Sequence, residues 1–408
     1  MKRAMQQGLA GLIGLLCWAS AIAQSAQSET NYLSLAHGTI PIAVDEQTES
    51  LRTGIDRALV VIDGNPNGFS LTPRPGGEDT TVRLTYQLPA STRFERFDVP
   101  NVLETPSPSQ TFFQSLIIQG SSEGPEGPFR ELANHSFELH EAPGQVTEIA
   151  STDSTSVRWV QLIFSGGLDV QREQTFFEFS ELRGFGEQDT VPLLEGFSAK
   201  WSGRGVRIEL KQAGPRVTGC YDRDGELTGT VRGNLLSATG TTRNSGTPSA
   251  FLLTVDDEGR LIGVRSSNGA PFRLYKGDPD TDLVTDCSEV VVALPGCDSI
   301  LHGIQFDFDS DVIRTESEPL LNDLYAGLQA DTNDSIVIIG HSSSEGEESY
   351  NAALSQRRAA SVTRALVQRG LASDRISAQG VGESSPIANN DTDAGRALNR
   401  RVEVVCAD

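Results

Sequence analysis

The pattern of hydrophobic and polar residues changes twice along the 408-residue chain, and it predicts a different architecture in each part. Between residues 55 and 187, short alternating or apolar runs are separated by glycine, proline and asparagine, which is typical of a β-sandwich or jelly roll. Residues 188–277 hold further short runs that end in turn residues, and these predict a small antiparallel meander or barrel of about six to eight strands. From residue 297 onward, strand and helix patterns alternate. The sequence therefore predicts a multidomain protein, with an all-β half followed by an α+β domain of residues 297–408.

Strand and helix signals in this last domain follow a definite order. Four runs predict strands, at residues 304–308, 336–340, 375–379 and 400–406. Two helices are expected between them, each opened by a capping box, Thr315 with Glu318 and Ser344 with Glu347. The second helix is expected to end at Gly370. This order predicts a β-α-β-α-β-β fold, with two helices on one mixed sheet.

The second helix carries an unusual mixture of residues on one face. Spacings of three and four place six residues there: Asn351, Leu354, Ser355, Arg358, Val362 and Leu366. A buried face does not need Arg358, and a solvent-exposed face does not need Leu354 or Val362. The pattern predicts a helix edge that packs against the domain and also presents a guanidinium group to an anion.

The first residues have the pattern of a secretory signal peptide. Two basic residues precede an apolar run, which ends in the small-residue cleavage pattern Ala21-Ile22-Ala23. We therefore expect residues 1–23 to be removed, residues 24–54 to form a polar N-terminal arm and residues 278–296 to form an acidic linker. No later run approaches the ~20 apolar residues that a transmembrane helix needs. The expected product is an exported protein.

The composition is strongly acidic, with 55 Asp and Glu residues against 33 Lys and Arg residues and a formal net charge of −22. Because phosphate contacts rest on clustered basic residues, we expect no nucleic-acid partner. Four aspartates between residues 278 and 286 have the spacing of a calcium loop, but Leu283 stands where such a loop needs glycine. An ordinary linker is the preferred interpretation, and we expect no metal or other cofactor.

Four cysteines remain after the signal peptide, and an oxidising compartment favours two disulfides. Three pairings are open. We prefer Cys297 with Cys406, because these residues bracket the last domain, and this leaves Cys220 with Cys287. A metal site is the weaker alternative, since the sequence has no CxxC motif.

Five motifs of the last domain keep the order and spacing of a known family. They read IQFDFDSDVI, IVIIGHSSSEG, YNAALSQRRAASVTRAL, GVGESSPIANN and GRALNRRVEV. Over residues 300–405 the chain resembles the OmpA-like C-terminal domain, which is shared by outer-membrane porin-like proteins, Pal lipoproteins and flagellar-motor MotB proteins. The resemblance implies non-covalent binding of peptidoglycan. In that family an arginine of the helix takes a carboxylate of diaminopimelate in the stem peptide, and an aspartate after the central strand takes its ammonium group.

The family's binding residues can be placed on this sequence one by one. The arginine corresponds to Arg358, and Asn351 belongs to the same helix motif. Asn399 and Arg401 are expected to add polar contacts from the closing strand. Asp309 lies at the end of the first predicted strand, near the expected site.

One position departs from the family, because Ser343 stands where the family has its aspartate. Serine brings no charge to an ammonium group, and losing a charge-assisted hydrogen bond costs about 1–2 kcal/mol. Glu345, two residues later, offers a replacement carboxylate. Either the amine contact is rearranged or the ligand has been lost, and we prefer the first because Arg358, Asn351 and Asn399 are retained. A Ser343→Asp variant should then bind more tightly, and weaker binding would point to Glu345 as the working carboxylate.

The first β unit also carries a resemblance, in its strand VRWVQL and its closing segment SELRGFG. Over residues 55–187 the chain is similar to discoidin-like, or galactose-binding-like, jelly rolls. That resemblance implies a carbohydrate ligand, and a structural spacer is the competing interpretation.

Two functions stay open. The first is a non-enzymatic periplasmic protein that binds peptidoglycan while its β domains bind a glycan or an envelope protein. Such a protein would be associated with the cell wall, with the outer membrane as a further site of attachment. The second is a wall-anchored carbohydrate-binding or carbohydrate-active protein. We prefer the first because Glu178 and Glu181, the best pair of candidate carboxylates, lie three apart in a predicted strand and would face opposite sides.

Overall fold

The fold is taken from a computed structural model, which describes most of the chain after residue 29. The described residues are 30–45, 48–49, 54–66, 70–71, 74–75, 81–100, 113–138, 140, 144–165, 168–169, 174–175, 178–179, 181–285, 287, 292–307, 309–331 and 335–407. The predicted signal peptide lies outside them, as does Asp286 of the calcium-like spacing. Within the described residues, no helix has the length and apolar character needed to span a membrane.

The first part of the described chain is a β unit organised around one long strand. Its strands are β1 (Ile40–Val44), β2 (Ser70–Leu71), β3 (Arg74–Pro75), β4 (Thr81–Pro100), β5 (Ser115–Ser121), β6 (Arg130–Ser136), β7 (Val146–Ala150), β8 (Val157–Ser165), β9 (Leu168–Asp169), β10 (Gln174–Thr175), β11 (Glu178–Phe179) and β12 (Arg183–Gln188). A seven-stranded antiparallel sheet has the order β1-β4-β8-β5-β6, with β7 and β12 also paired to β4. Helix α1 (Ile55–Ala58) and 3₁₀ turns at Leu35–His37 and Leu59–Ile62 complete the unit.

Strand β4 serves two sets of partners. Its first half pairs with β1 and β8, its second half pairs with β7 and β12, and the register with β8 shifts between Gln87 and Thr92. Pro89 lies at this shift, where its missing N–H removes no ladder hydrogen bond. On both sides of this register shift, β4 contributes apolar residues to one shared core, from Val82 to Val99.

The second part is an up-and-down antiparallel sheet of nine strands. They are β13 (Lys200–Gly203), β14 (Val206–Ala213), β15 (Arg216–Tyr221), β16 (Gly225–Arg232), β17 (Leu235–Thr242), β18 (Pro248–Val255), β19 (Leu261–Ser267), β20 (Arg273–Leu274) and β21 (Asp278–Pro279). The segment after β20 joins the two edges, because Gly277 exchanges both backbone hydrogen bonds with Leu261 while Pro279 pairs with Trp201. The meander therefore closes into a small barrel around an apolar core.

The described residues of the third part form four strands and three helices. Strands β22 (Ile300–Leu301), β23 (Ser335–His341), β24 (Ile376–Gly382) and β25 (Val402–Ala407) form a sheet in the order β22-β25-β23-β24. The helices are α2 (Glu318–Ala330), α3 (Glu348–Gln368) and α4 (Asp393–Asn399), with a 3₁₀ turn at Thr315–Ser317. Strands β23 and β24 are parallel and the other pairs antiparallel, so the sheet is mixed. The predicted fold class, an all-β half followed by an α+β domain, is confirmed.

Several local predictions for this domain are wrong. Residues 304–307 of the predicted strand 304–308 do not form a sheet strand, and Phe308 lies outside the described residues. Ile300–Leu301 pairs with β25 instead, while Phe306 makes an isolated bridge to Ile313. Neither predicted capping box forms: α3 begins with Glu347 as its N-cap and no side-chain hydrogen bond. Helix α4 occupies a stretch that the sequence pattern assigned to the loop before the closing strand. The end of α3 was predicted correctly, since Gly370 has φ +113° and its N–H bonds the carbonyl of Val367.

Two predicted connecting segments contribute to the folded units. Strand β1 lies in the predicted N-terminal arm, where Leu33, Leu35 and Ile40 are buried in the core of the first unit. Strand β21 lies at the start of the predicted acidic linker. Both stretches are mainly polar, so the sequence pattern did not predict the short strands β1 and β21 that they add at sheet edges.

The preferred disulfide pairing is present in the structure. Cys297 is joined to Cys406, with 5.4 Å between their Cα atoms, and Cys220 is joined to Cys287, with 5.6 Å. The first bond ties the segment before β22 to β25 and so links both ends of the last domain.

The last domain also contacts the first unit through α4. The Asp393 N–H donates to the carbonyl of Asp63 at 2.7 Å, and the Arg396 Nη2 donates to the carbonyl of Gly64 at 2.7 Å. The Gly64 N–H in turn donates to the buried carboxylate of Glu181 at 2.9 Å. A Cβ at Gly64 would lie 2.0 Å from Asp393, so this close approach requires glycine.

A candidate anion-binding site on the last domain

Helix α3 is held unusually close to the sheet, and this fixes the position of its polar face. A Cβ at Gly340 would lie 2.4 Å from the carbonyl of Ser355, and one at Gly380 would lie 2.2 Å from the N–H of Gln356. The two glycines let the helix backbone approach β23 and β24 directly. Leu354, Val362 and Leu366 are buried, as their spacing predicts, and Val362 and Leu366 belong to the core cluster that includes Ile336 and Ile338 of β23.

Arg358 lies one turn beyond this contact, at the edge of the packed face. Its Nε donates to the carbonyl of Ser310 at 2.9 Å, and its guanidinium carbon lies 4.9 Å from the centre of the Phe306 ring. The side chain is thus held by one hydrogen bond and one cation–π contact. Among the described residues no carboxylate lies within 4 Å of it, and its two Nη groups make no hydrogen bond.

The loop that holds Arg358 is itself attached to α3. Asp311 accepts hydrogen bonds from Ser361 Oγ at 2.8 Å and from Arg364 Nη2 at 3.2 Å, both on the helix. Asp309 lies in this loop with φ +51° and is exposed. The loop therefore keeps Ser310 in place for Arg358, and Asp309 stays in solvent near the guanidinium.

The charges around Arg358 are not balanced by an ion pair. Burial lowers the pKa of Arg358, the positive charge of Arg400 lowers it further, and Asp309 raises it. The guanidinium stays charged at any physiological pH, because its ordinary pKa is above 12. A fixed, half-buried cation with free N–H groups is suited to bidentate binding of a carboxylate.

Ser343 and Glu345 lie together on the loop after β23. The Ser343 side chain is 5% exposed, and its hydroxyl donates to Glu345 Oε2 at 3.1 Å. Arg400 Nη1 approaches the same carboxylate oxygen to 3.1 Å and the serine oxygen to 3.4 Å. Arg396 Nε lies 3.6 Å from the other oxygen of Glu345. The hydroxyl of Ser343, the predicted amine contact, is therefore occupied by Glu345, whereas the Glu345 side chain itself is 62% exposed.

Three other predicted site residues have internal roles. Asn351 is buried and donates to the carbonyl of Ser343 and to Glu383, so it ties together the loops that follow β23 and β24. Asn399 is fully buried, and Arg401, 5% exposed, bonds Glu403 and the carbonyls of Asn399 and Ser385. The expectation that Asn399 and Arg401 offer polar contacts to a ligand is wrong, because their polar atoms are used inside the domain.

Arg400 was not among the predicted site residues, although it lies between Asn399 and Arg401, which were. Arg400 was assigned to the start of a closing strand, whereas α4 ends at Asn399 and the strand begins at Val402. The helix end turns the Arg400 side chain, which is 39% exposed, toward Glu345. The available sequence signal for this helix was Thr392, because threonine is a preferred N-cap residue. In the structure its side chain accepts the Gly395 N–H at the start of α4.

Comparison with known proteins places this domain. The family model described as "OmpA family" matches residues 305–400. An outer membrane protein A of Escherichia fergusonii is 36% identical over 163 residues, which are 36% of this chain and 67% of that protein. Through this domain, the chain belongs to the OmpA family.

The OmpA likeness is confined to part of each protein. An outer membrane porin F of Pseudomonas fluorescens is 44% identical over 100 residues, which are 24% of this chain and 31% of that protein. The chain spans about half or less of the length of the first curated relatives that it matches.

Among solved structures, a peptidoglycan-associated lipoprotein from Burkholderia pseudomallei is 33% identical over 26% of this chain and 88% of that chain, with a TM-score of 0.24. For the first unit, the module CpGH89CBM32-5 from Clostridium perfringens, in complex with GalNAc-β-1,3-galactose, covers 38% of this chain and all of that chain at 17% identity, with a TM-score of 0.28. These scores do not identify a ligand for the first unit.

Proposed function

We propose that the protein is an exported envelope protein that binds peptidoglycan non-covalently through its OmpA domain, and that it thereby tethers or scaffolds the envelope. The supporting observation is Arg358, whose guanidinium is fixed by Ser310 and Phe306 while its Nη groups remain free among the described residues. A stem-peptide carboxylate, such as that of diaminopimelate, fits this cation. We place the protein in the periplasm at the cell wall.

The carboxylate contact at Arg358 sets the size of the expected effect of removing this arginine. A charge-assisted bidentate bond to a half-buried arginine contributes about 1.5–3 kcal/mol, which corresponds to a roughly tenfold to hundredfold change in affinity. Clustered stem peptides on intact cell wall would raise the apparent affinity further through multivalency if copies of the protein are held together.

The proposal is tested by co-sedimentation of the mature protein with purified peptidoglycan sacculi. Arg358→Ala should reduce the sedimented fraction at least tenfold. Arg357→Ala is the matched control, because Arg357 is the adjacent, exposed arginine of the same helix. Equal sedimentation of the Arg358 variant and the native protein would reject the assignment.

The β units do not support an enzymatic function in what the structure describes. Glu181, one of the two candidate carboxylates, is 3% exposed and accepts the Gly64 N–H, so it is closed to a substrate. The side chain of Glu178 lies outside the described residues. We therefore propose a binding protein, with a glycan or an envelope protein as the partner of the first unit.

A further inference from the structure

The contact between the first unit and α4 brings together carboxyl groups from both sides. Gly64 lies at its centre: its N–H donates to Glu181 Oε2 at 2.9 Å, and a Cβ at Gly64 would lie 2.4 Å from Asp393 Oδ2. The carboxyl groups of Glu181 and Asp393 therefore lie against the same residue. Asp63, the residue before Gly64, accepts the Asp393 N–H through its own carbonyl at 2.7 Å. Three acidic residues thus meet where the two units touch.

These acidic residues are not equally compensated. Asp393 accepts the Ser34 hydroxyl at 3.1 Å and forms an ion pair with Arg396. Glu181 is 3% exposed, and its second oxygen, Oε1, has no hydrogen-bond partner among the described residues. In that part of the chain, neither Glu181 nor Asp63 lies within ion-pair distance of a cation. Because a buried carboxylate without a cation is costly, the closed contact favours the neutral form of these two groups.

The charges around the contact act in the same direction. Burial raises the pKa of Asp63 to about 7 and Asp393 adds to this shift, while the Asn65 N–H and Arg396 oppose it. Burial also raises the pKa of Glu181, and the charges of Asp393 and Asp63 raise it further. The other titratable groups that act on the three carboxyls are Tyr86, Arg183 and His37 of the first unit and Arg400 of the last domain.

We propose that docking of the first unit onto α4 takes up a proton at Asp63 and Glu181, so that the contact closes in acid and loosens as the pH rises to about neutrality. Opening the contact hydrates both carboxyls and lets them ionise. A carboxyl with a higher pKa in the closed form than in the open form stabilises the closed form fully near pH 4, and this contribution is lost as the pH rises to about 7. For one proton, the closing equilibrium weakens up to about tenfold per pH unit.

Arg396 extends this contact to the loop after β23. Its Nη2 donates to the carbonyl of Gly64 at 2.7 Å, its Nη1 donates to the carbonyl of Asn390 at 2.9 Å, and its Nε lies 3.6 Å from Glu345. Opening removes the bond to Gly64 and leaves Arg396 with its partners in the last domain. The position of the first unit against this loop thus becomes dependent on pH. This inference goes beyond the proposed function, because it holds whether or not the last domain binds peptidoglycan.

Hydrogen exchange of the Asp393 amide tests the proposal, because this N–H bonds the carbonyl of Asp63 across the contact. The mature full-length protein is compared with Asp63→Asn at pH 5, 6 and 7, by mass spectrometry with electron-transfer fragmentation. The intrinsic exchange rate also rises with pH, but it cancels in the ratio of the two proteins. The ratio of the native rate to the Asp63→Asn rate should rise at least tenfold between pH 5 and pH 7.

Three further variants complete the experiment. Glu181→Gln should give a rising ratio like that of Asp63→Asn. Asp56→Asn is the matched control, because Asp56 is an exposed aspartate of α1 in the same unit, and its ratio should stay within twofold. Gly64→Ala places a Cβ 2.0 Å from Asp393 and should speed the exchange at every pH.

The outcomes are decisive for the contact alone. Ratios within twofold at all three pH values for both Asp63→Asn and Glu181→Gln would overturn the proposal. Unchanged exchange in Gly64→Ala would overturn it as well, because the contact would then not hold α4. A rising ratio in a protein that does not sediment with sacculi would support this inference while rejecting the proposed function. Melting curves at each pH establish that every variant is folded at the temperature of the measurement.

Discussion

Asn399 gives the sharpest contrast between the role expected from sequence and the role seen in the fold. The family motif suggested a contact to the ligand, whereas the side chain is fully buried and makes four hydrogen bonds. Its Oδ1 accepts the N–H groups of Ile387 and Ala388 at 2.9 and 3.0 Å. Its Nδ2 donates to the carbonyl of Ala388 and to Asn390 at 2.8 and 2.9 Å.

The Asn399→Ala variant would leave three buried backbone groups without these partners. Each unsatisfied group costs about 1–3 kcal/mol, and partial relaxation of the loop brings the expected loss of stability to about 3–6 kcal/mol. Since 1 kcal/mol shifts the melting temperature of a domain of about 100 residues by roughly 4 °C or more, the melting temperature should fall by at least ~10 °C. Binding to sacculi, measured well below the melting temperature, should stay within twofold of native.

Calorimetric melting of the full chain measures the effect, with Asn322→Ala as the control. Asn322 is exposed and accepts one hydrogen bond from Arg369, so its loss should cost under ~0.5 kcal/mol. If Asn399→Ala were to keep its melting temperature within 3 °C and lose binding, the internal role would be refuted and the ligand contact restored.

Three further predictions concern pH, the disulfide and the loop that holds Arg358. Burial raises the pKa of Asp63 to about 7 and also raises that of Glu181. In the folded state these carboxyl groups favour their protonated form, so their contribution to stability is complete near pH 4 and is lost as pH rises to about 7. Between pH 4 and pH 7 the melting temperature of Asp63→Asn should therefore fall less, or rise more, than that of the native protein, and an unchanged slope in that variant would contradict the assignment. Replacing Cys297 and Cys406 by serine opens a loop with a sequence separation of 109 and should cost about 4–5 kcal/mol in calorimetry, while a loss under 1 kcal/mol would show that the bond is not formed or not needed. Asp311→Ala removes two hydrogen bonds between the loop and α3 but keeps the Arg358 side chain itself. Binding to sacculi should weaken about threefold to tenfold. Unchanged binding would show that the loop does not need these two hydrogen bonds to hold Ser310.

The sequence predicted those features that depend on periodicity. The buried stripe of Leu354, Val362 and Leu366 and the position of Arg358 at its edge follow from a spacing of three and four, which has one structural solution on a helix. The helix end at Gly370 follows from the left-handed backbone that glycine adopts most easily.

The sequence did not predict features that depend on which of several side chains forms a given hydrogen bond. Thr315 and Ser344 have the spacing of capping residues, but Ser317 instead takes the Gln305 N–H and α3 starts without a side-chain cap. The role of Arg400 depends on where α4 ends, and a shift of one residue exchanges a buried side chain for an exposed one. Such choices are settled by tertiary contacts and not by local pattern.

The proposed binding of a stem-peptide carboxylate by Arg358 is the contact on which the proposed function depends. Titration calorimetry of the native protein, Arg358→Ala and Arg357→Ala with soluble muropeptides measures it directly, because a soluble monovalent ligand removes multivalency. We expect a dissociation constant that is roughly tenfold to hundredfold higher for Arg358→Ala and within twofold of native for Arg357→Ala. Equal dissociation constants for native protein and Arg358→Ala, with both proteins folded, would contradict it.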